Sequence, residues 1–447
     1  MGIKIVFIGA SYLFNHRVFK DFVKVPELKG AELVIYDIKQ EPIDIVSKVC
    51  EIIKYEMNSD IKVSGTTNRK KALQGADFVL STFNVGVEKA DKQVLEVCRR
   101  HKISYGIGDT IGPSALIRSF RNIIATLDLC KDMEEYCPEA WLINFSNPMA
   151  QITHAIRKYS KIKAIGLCHA LFAGEDLVSK TYGVDKNEVQ LFAAGVNHLT
   201  WVLEAYVKGQ SKTKTLYKDT MAFLYTRKKD RNFSKDDWVK KEQMEEDWKL
   251  TMRLFEKYGA LLVAGDTHVA EFFPFFYKES TGHGKRYGIE PINIKKRIQK
   301  KLWMKNLLVK WVKGVEKPWD MDKFSGEDAH SIIVSIIANK NRIHQVNILN
   351  NGSIKNVPSW ATVEAPAIFG GYGYKNVALG NMPNHLASII TNLATIHDYT
   401  VDAIVKRDRK LAIQALLLDP LLKEFDTVEK LLDDLLASQK KYIPSIK

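Results

Sequence analysis

The chain is poor in cysteine. Five stand at 50, 98, 130, 137 and 168 among 447 residues. An odd number at wide spacing excludes a disulfide framework and fits a reducing cytoplasm. Long apolar runs are also missing. None reaches the length of a membrane span, so no membrane partner is expected. The opening "MGIKIVFIGASYLF" lacks the small-residue cleavage site of a signal peptide and reads as a strand entering a glycine turn. No internal repeat and no low-complexity linker breaks the chain. The formal charge is +14, and basic residues crowd 285–317. No nucleic-acid motif accompanies them, so the run reads as a helix with a basic solvated face and an apolar face of Ile294, Ile298, Leu302 and Leu308, and no nucleic-acid partner is expected.

What the chain has is alternation. Apolar runs at 4–10, 31–38, 76–83, 102–108, 140–148 and 162–169 are separated by helical patterns. Near-continuous apolar strands of this kind imply a parallel sheet covered on both faces. Past about residue 190 the pattern changes. A strand-like 199–207 precedes a charged stretch at 226–249, and helical segments at 325–339 and 385–405 follow. The length favours two domains. The fold expected is α/β: an N-terminal doubly wound, Rossmann-like parallel sheet over 1–195, then a mixed α/β catalytic domain over 196–447.

Two local patterns suggest chemistry. The first run ends in the turn "GASYLF" at Gly9, and the second ends at Asp37. Strand, glycine turn, helix and closing acid form the dinucleotide-binding arrangement, with the acid on a ribose. An α/β domain whose first turn binds nothing fits the same residues. The second pattern is Cys168-His169 after a short apolar run, with His198 in a similar place in "AAGVNHLTW". These read either as a metal pair or as a buried thiol and a satisfied histidine.

Taken together, "GIGDTIGPSALIRSF" (106–120), "CPEAWLINFSNPM" (137–149), "GLCHALF" (166–172), "AAGVNHLTW" (193–201), "GDTHVAEFFPFF" (265–276), "NILNNGSIKNVPSWATVEAPA" (347–367) and "LAIQALLLDPL" (411–421) resemble glycoside hydrolase family 4, the NAD- and divalent-metal-dependent glycosidases. The likeness runs in the family's order over nearly the whole chain. It implies hydrolysis by transient oxidation of the sugar at C3 by NAD, metal-assisted loss of the C2 proton, elimination, water addition and return of the hydride. It implies Cys168 and His198 as ligands of Mn²⁺ or another divalent metal. The Cys-His form implies a non-phosphorylated α-galactoside, α-glucoside or α-galacturonide. Asp266 matches a proposed C2 base, with Tyr258 or Tyr277 as substitutes, and His169 a proton donor. Gly9, Ser11, Asp37 and Asn84 match cofactor-facing positions, although the family usually has a further glycine in the first turn. Asp109 and Asn147 match substrate- or cofactor-facing positions, and both also suit helix capping or a turn. A uronate would need a local cation, for which Lys285 and Arg286 in a glycine-flanked loop are candidates. The expected partners are a small sugar and a homo-oligomer, dimer or tetramer. A hydroxy-acid dehydrogenase and a non-catalytic basic binder are the competing readings.

Overall fold

The computed structural model describes residues 2–227, 248–318, 320–422 and 424–446. Most of the charged stretch 226–249 lies outside them. Its N-terminal half holds six parallel strands: β1 (Lys4–Ile8), β2 (Glu32–Tyr36), β3 (Lys62–Thr66), β4 (Phe78–Ser81), β5 (Trp141–Asn144) and β6 (Lys163–Gly166). They lie in the order β3-β2-β1-β4-β5-β6. The reversal of direction at β1 is the doubly wound arrangement, with crossovers packed on both faces. Successive residues of β1 show why its run is unbroken. Val6 and Phe7 are both fully buried, one in each of two separate apolar cores.

Seven further strands extend the same sheet: β7 (Val189–Val196), β8 (Leu199–Val207), β9 (Gln210–Ser211), β10 (Leu261–Leu262), β11 (Arg342–Leu349), β12 (Thr362–Gly370) and β13 (Gly373–Asn376). These pair antiparallel, and the described sheet has 13 strands, running β10-β8-β7-β12-β11-β6 into the parallel half, with β9 on β8 and β13 on β12. Each of two ladders near the centre is a single residue pair, Asn347 with Gly166 and Glu364 with Gly195. The expected division after residue 195 therefore falls inside one sheet, one residue short of the end of β7.

Three sequence expectations change. The run 102–108 is not a strand. It is a loop whose Ile103 and Tyr105 are buried, and the amides of Ile107 and Gly108 donate to Glu271 Oε1 at 2.6 and 2.8 Å. Its apolar residues anchor a loop in the core, which periodicity alone does not distinguish from a strand. The strand β3, "KVSGT", was absent from the expected series because it is an edge strand with an exposed, mostly polar sequence. The basic helix exists as Ile294–Val312, but its buried residues are Leu307, Leu308 and Trp311. Ile298 and Leu302 are exposed, so of the apolar face expected only the C-terminal part packs. No described helix is long and apolar enough to cross a membrane.

Candidate active site

The motif residues lie beyond the C-terminal ends of the parallel strands, where an open α/β sheet leaves a crevice. The first turn is organised by Gly9. Its φ of 102° is one that side chains disfavour, and a Cβ there would stand 3.2 Å from the Thr82 hydroxyl. Ala10 N donates to Asp37 Oδ2 at 2.9 Å, and Ser11 N donates to Asn15 Oδ1 at 2.9 Å. Asp37 Oδ1 accepts from Lys39 N at 3.0 Å. Asp37 thus binds the turn after β1 to the end of β2. After the adjacent strand β4, Asn84 Nδ2 donates to Asp91 Oδ2 at 3.0 Å, while its Oδ1 is buried without a partner among the described residues.

The centre of the site is a trio the sequence did not group. Asp109, His198 and His268 present ligand atoms that all lie within 4.8 Å of one another. Asp109 comes from the inward loop that replaces the expected strand. His198 occupies the two-residue turn between β7 and β8, and His268 comes from the short helix Asp266–Ala270. The imidazoles of His198 and His268 meet edge to face, centroids 4.3 Å apart. His198 has φ 127°, an uncommon conformation for any residue with a side chain. The hairpin is tight enough that a Cβ on Gly195 would fall 2.1 Å from Leu199 O.

Charge around the trio is strongly shaped. Burial works to raise the Asp109 pKa, but Arg118, Arg297, His268 and His198 outweigh it and hold the carboxyl well below the usual range. Burial pushes His198 far down, His268 adds to this, and Asp109 opposes it. Asn147 Nδ2 approaches Asp109 Oδ2 at 3.5 Å, and Asn147 Oδ1 is buried without a partner. Neither arginine was a sequence candidate. Arg118 lies within one motif and Arg297 within the basic run, and only folding brings both to Asp109.

Cys168 is buried beside this group but outside its tightest part. Burial and the neighbouring Glu364 push its thiol up, and the Asn197 side chain opposes them. Glu364 Oε2 also accepts from Asn197 Nδ2 at 3.0 Å and from Asn347 Nδ2 at 3.2 Å, so the single-pair ladders of the sheet meet here. The His169 side chain is 70% exposed, with Nδ1 3.5 Å from Glu327 Oε1. Glu327 is itself buried, and burial raises its pKa against the pull of His169 and Arg17. Sequence reading missed it because nothing near residue 327 repeats a site pattern.

Two expected residues are placed differently. Both oxygens of Asp266 accept backbone amides, from Leu250 at 2.8 Å and Thr251 at 2.8 Å, so it caps the helix Lys249–Tyr258. Arg286, expected to read a uronate, is exposed on a short turn at 285–287; the cations that act on Asp109 are Arg118 and Arg297. Of the tyrosines, Tyr277 is buried and held far above its usual pKa by burial and Glu271. Tyr258 packs at a tilt against Trp201 and Phe273.

Fold and site define a Rossmann-like α/β protein whose candidate site lies between a parallel and an antiparallel half. Residues 4–184 match the family 4 glycosyl hydrolase profile, and residues 193–422 match the family 4 glycosyl hydrolase C-terminal domain. The chain is 29% identical to an alpha-galactosidase of Bacillus subtilis, covering 99% of this chain and 100% of the relative. It is 28% identical to an alpha-galacturonidase of Thermoanaerobacter italicus, covering 99% and 97%. A 6-phospho-alpha-glucosidase from gut microorganisms, solved in complex with NAD and Mn²⁺, superposes with a TM-score of 0.83 at 19% identity, covering 100% of both chains. The chain belongs to family 4 of the glycosyl hydrolases, and its class of reaction is glycoside hydrolysis.

Proposed function

We propose that the chain hydrolyses a non-phosphorylated α-galactoside, α-glucoside or α-galacturonide with the help of NAD and Mn²⁺ or another divalent metal. The observation that carries this reading is the convergence of Asp109, His198 and His268 beside Cys168-His169 at the crevice. Carboxylate and imidazole donors suit a cation of intermediate hardness, and a thiolate adds a softer one. On this reading Cys168 and His198 hold the ion, with Asp109 and His268 at its border. Asn84 and Asn147, whose buried oxygens have no partner among the described residues, suit hydroxyl donors from a ribose and a sugar. Gly9 and Asp37 shape the first turn for the cofactor, and Ser11 fixes the start of the helix behind it. When bound, NAD supplies transient oxidation at the sugar and the metal supplies Lewis-acid stabilisation of charge on its oxygens.

The remaining roles belong to side chains. His169, exposed and 3.5 Å from Glu327, is the residue assigned to serve the departing oxygen as proton donor. Asp266 braces the segment that carries His268 and is not the C2 base. Arg297, which acts on Asp109, is assigned to a uronate carboxylate in place of Arg286, which is exposed on its turn. A panel of aryl α-glycosides, galacturonide and glucuronide included, with NAD⁺, Mn²⁺ and a thiol reductant tests the reading. Turnover without accumulation of NADH is expected. Net NADH release would mark a dehydrogenase, and cleavage of phosphorylated sugars alone would overturn the substrate class.

A further inference from the structure

We propose that Thr110 is a positioning residue for the metal site, fixing His198 in the Nδ1–H form so that Nε2 is its only lone-pair nitrogen. This rests on the metal reading above. The Thr110 hydroxyl donates to Asp109 Oδ1 at 3.0 Å. A threonine hydroxyl has one proton, and here it is committed to a carboxylate. The same oxygen lies 2.8 Å from His198 Nδ1. With its proton spent, Thr110 Oγ1 can only accept, so His198 Nδ1 must donate. A neutral imidazole with a proton on Nδ1 has its lone pair on Nε2, the state a metal ligand requires.

The surroundings hold this relay in place. Thr110 is 1% exposed, and Gln151 Nε2 donates to its carbonyl at 3.2 Å. The His268 ring abuts the other imidazole, which limits rotation of His198. The unusual φ of His198 fits a residue whose backbone is held against local preference for the sake of its side chain. Sequence reading noted Asp109 and His198 but gave the intervening hydroxyl no part, since Thr110 and His198 are far apart in the chain.

The test compares Thr110→Val, which keeps the shape and loses the hydroxyl, with Thr110→Ser, which keeps the hydroxyl. Mn²⁺ binding to the full chain is measured by titration calorimetry, and the His198 ring is observed by ¹⁵N NMR on metal-free protein, its signal identified by its loss in His198→Gln. We expect the wild type and Thr110→Ser to show a protonated Nδ1 and similar Mn²⁺ affinity. Thr110→Val should lose the fixed tautomer and bind Mn²⁺ about 10–100-fold more weakly, with NAD binding unchanged. A protonated Nε2 in the wild type overturns the proposal whatever the variants do. So does wild-type affinity in Thr110→Val, or equal weakening in Thr110→Ser. If His198→Ala binds Mn²⁺ as the wild type does while the Nδ1–H form is observed, the metal reading has failed and the positioning role falls with it.

Discussion

A histidine at φ 127° occupies backbone space that costs about 1–3 kcal/mol for a residue with a side chain. Glycine has no such penalty. His198→Ala and His198→Gly should both lose activity, because neither has an imidazole. Urea denaturation should find His198→Gly the more stable of the two by about 1 kcal/mol. Equal stability would mean the turn is unstrained. A second residue gives a pH dependence. Burial raises the Glu175 pKa to about 7, Asp328 adds to it, and Lys186 opposes it. An acid whose folded pKa lies above its ordinary value binds protons more readily when folded, so stability falls as pH rises from about 4.5 to about 7. Glu175→Gln should therefore stabilise the protein by about 1–3 kcal/mol at pH 8 and leave it unchanged near pH 4. Thermal melts across that range check the sign. At this scale the sequence was informative where a residue sat in a motif, as Cys168, His198 and Asp109 do. It was silent on Arg118, Arg297 and Glu327, whose parts depend on neighbours far away in the chain.

Among elements, the helix Lys249–Tyr258 depends on a carboxylate outside it. Asp266 accepts the amides of Leu250 and Thr251, two donors at a helix start that need partners. An amide offers one acceptor oxygen and turns a donor toward the other N–H. Asp266→Asn should cost about 1–2 kcal/mol of stability and reduce turnover less than tenfold at a temperature where it stays folded. A loss beyond a thousandfold with an unaltered melting temperature would return the base role to Asp266. The parallel strands were readable because burial on both faces leaves an unbroken apolar run, as in "KIVFI" of β1. The edge strand β3 was not, since one exposed side frees its residues to be polar. The 102–108 loop was misread for the opposite reason, its buried Ile103 and Tyr105 imitating a strand. Ile298 and Leu302 carried the right spacing for a buried face, yet nothing among the described residues covers them fully.

The family matches fall into two segments, and the sequence likewise suggested two domains divided after residue 195. Their shared sheet has a physical consequence for the molecule as a whole. A fragment ending at 195 would strip β7 of its partners β8 and β12, leaving an open, apolar edge prone to aggregation. Calorimetry should record one unfolding transition for the full chain, with calorimetric and van't Hoff enthalpies in agreement. Two resolved peaks would show the segments to be separate thermodynamic units. The continuity also limits motion. Two lobes on a flexible stalk can clamp a ligand as jaws do, but here both apolar cores run through the two halves and brace the single-pair junction of Asn347 with Gly166, so the halves behave as a plank. Small-angle scattering should therefore find the radius of gyration unchanged when NAD⁺ and sugar are added, and whatever gate admits the sugar must be a loop at the rim, swinging on a rigid floor.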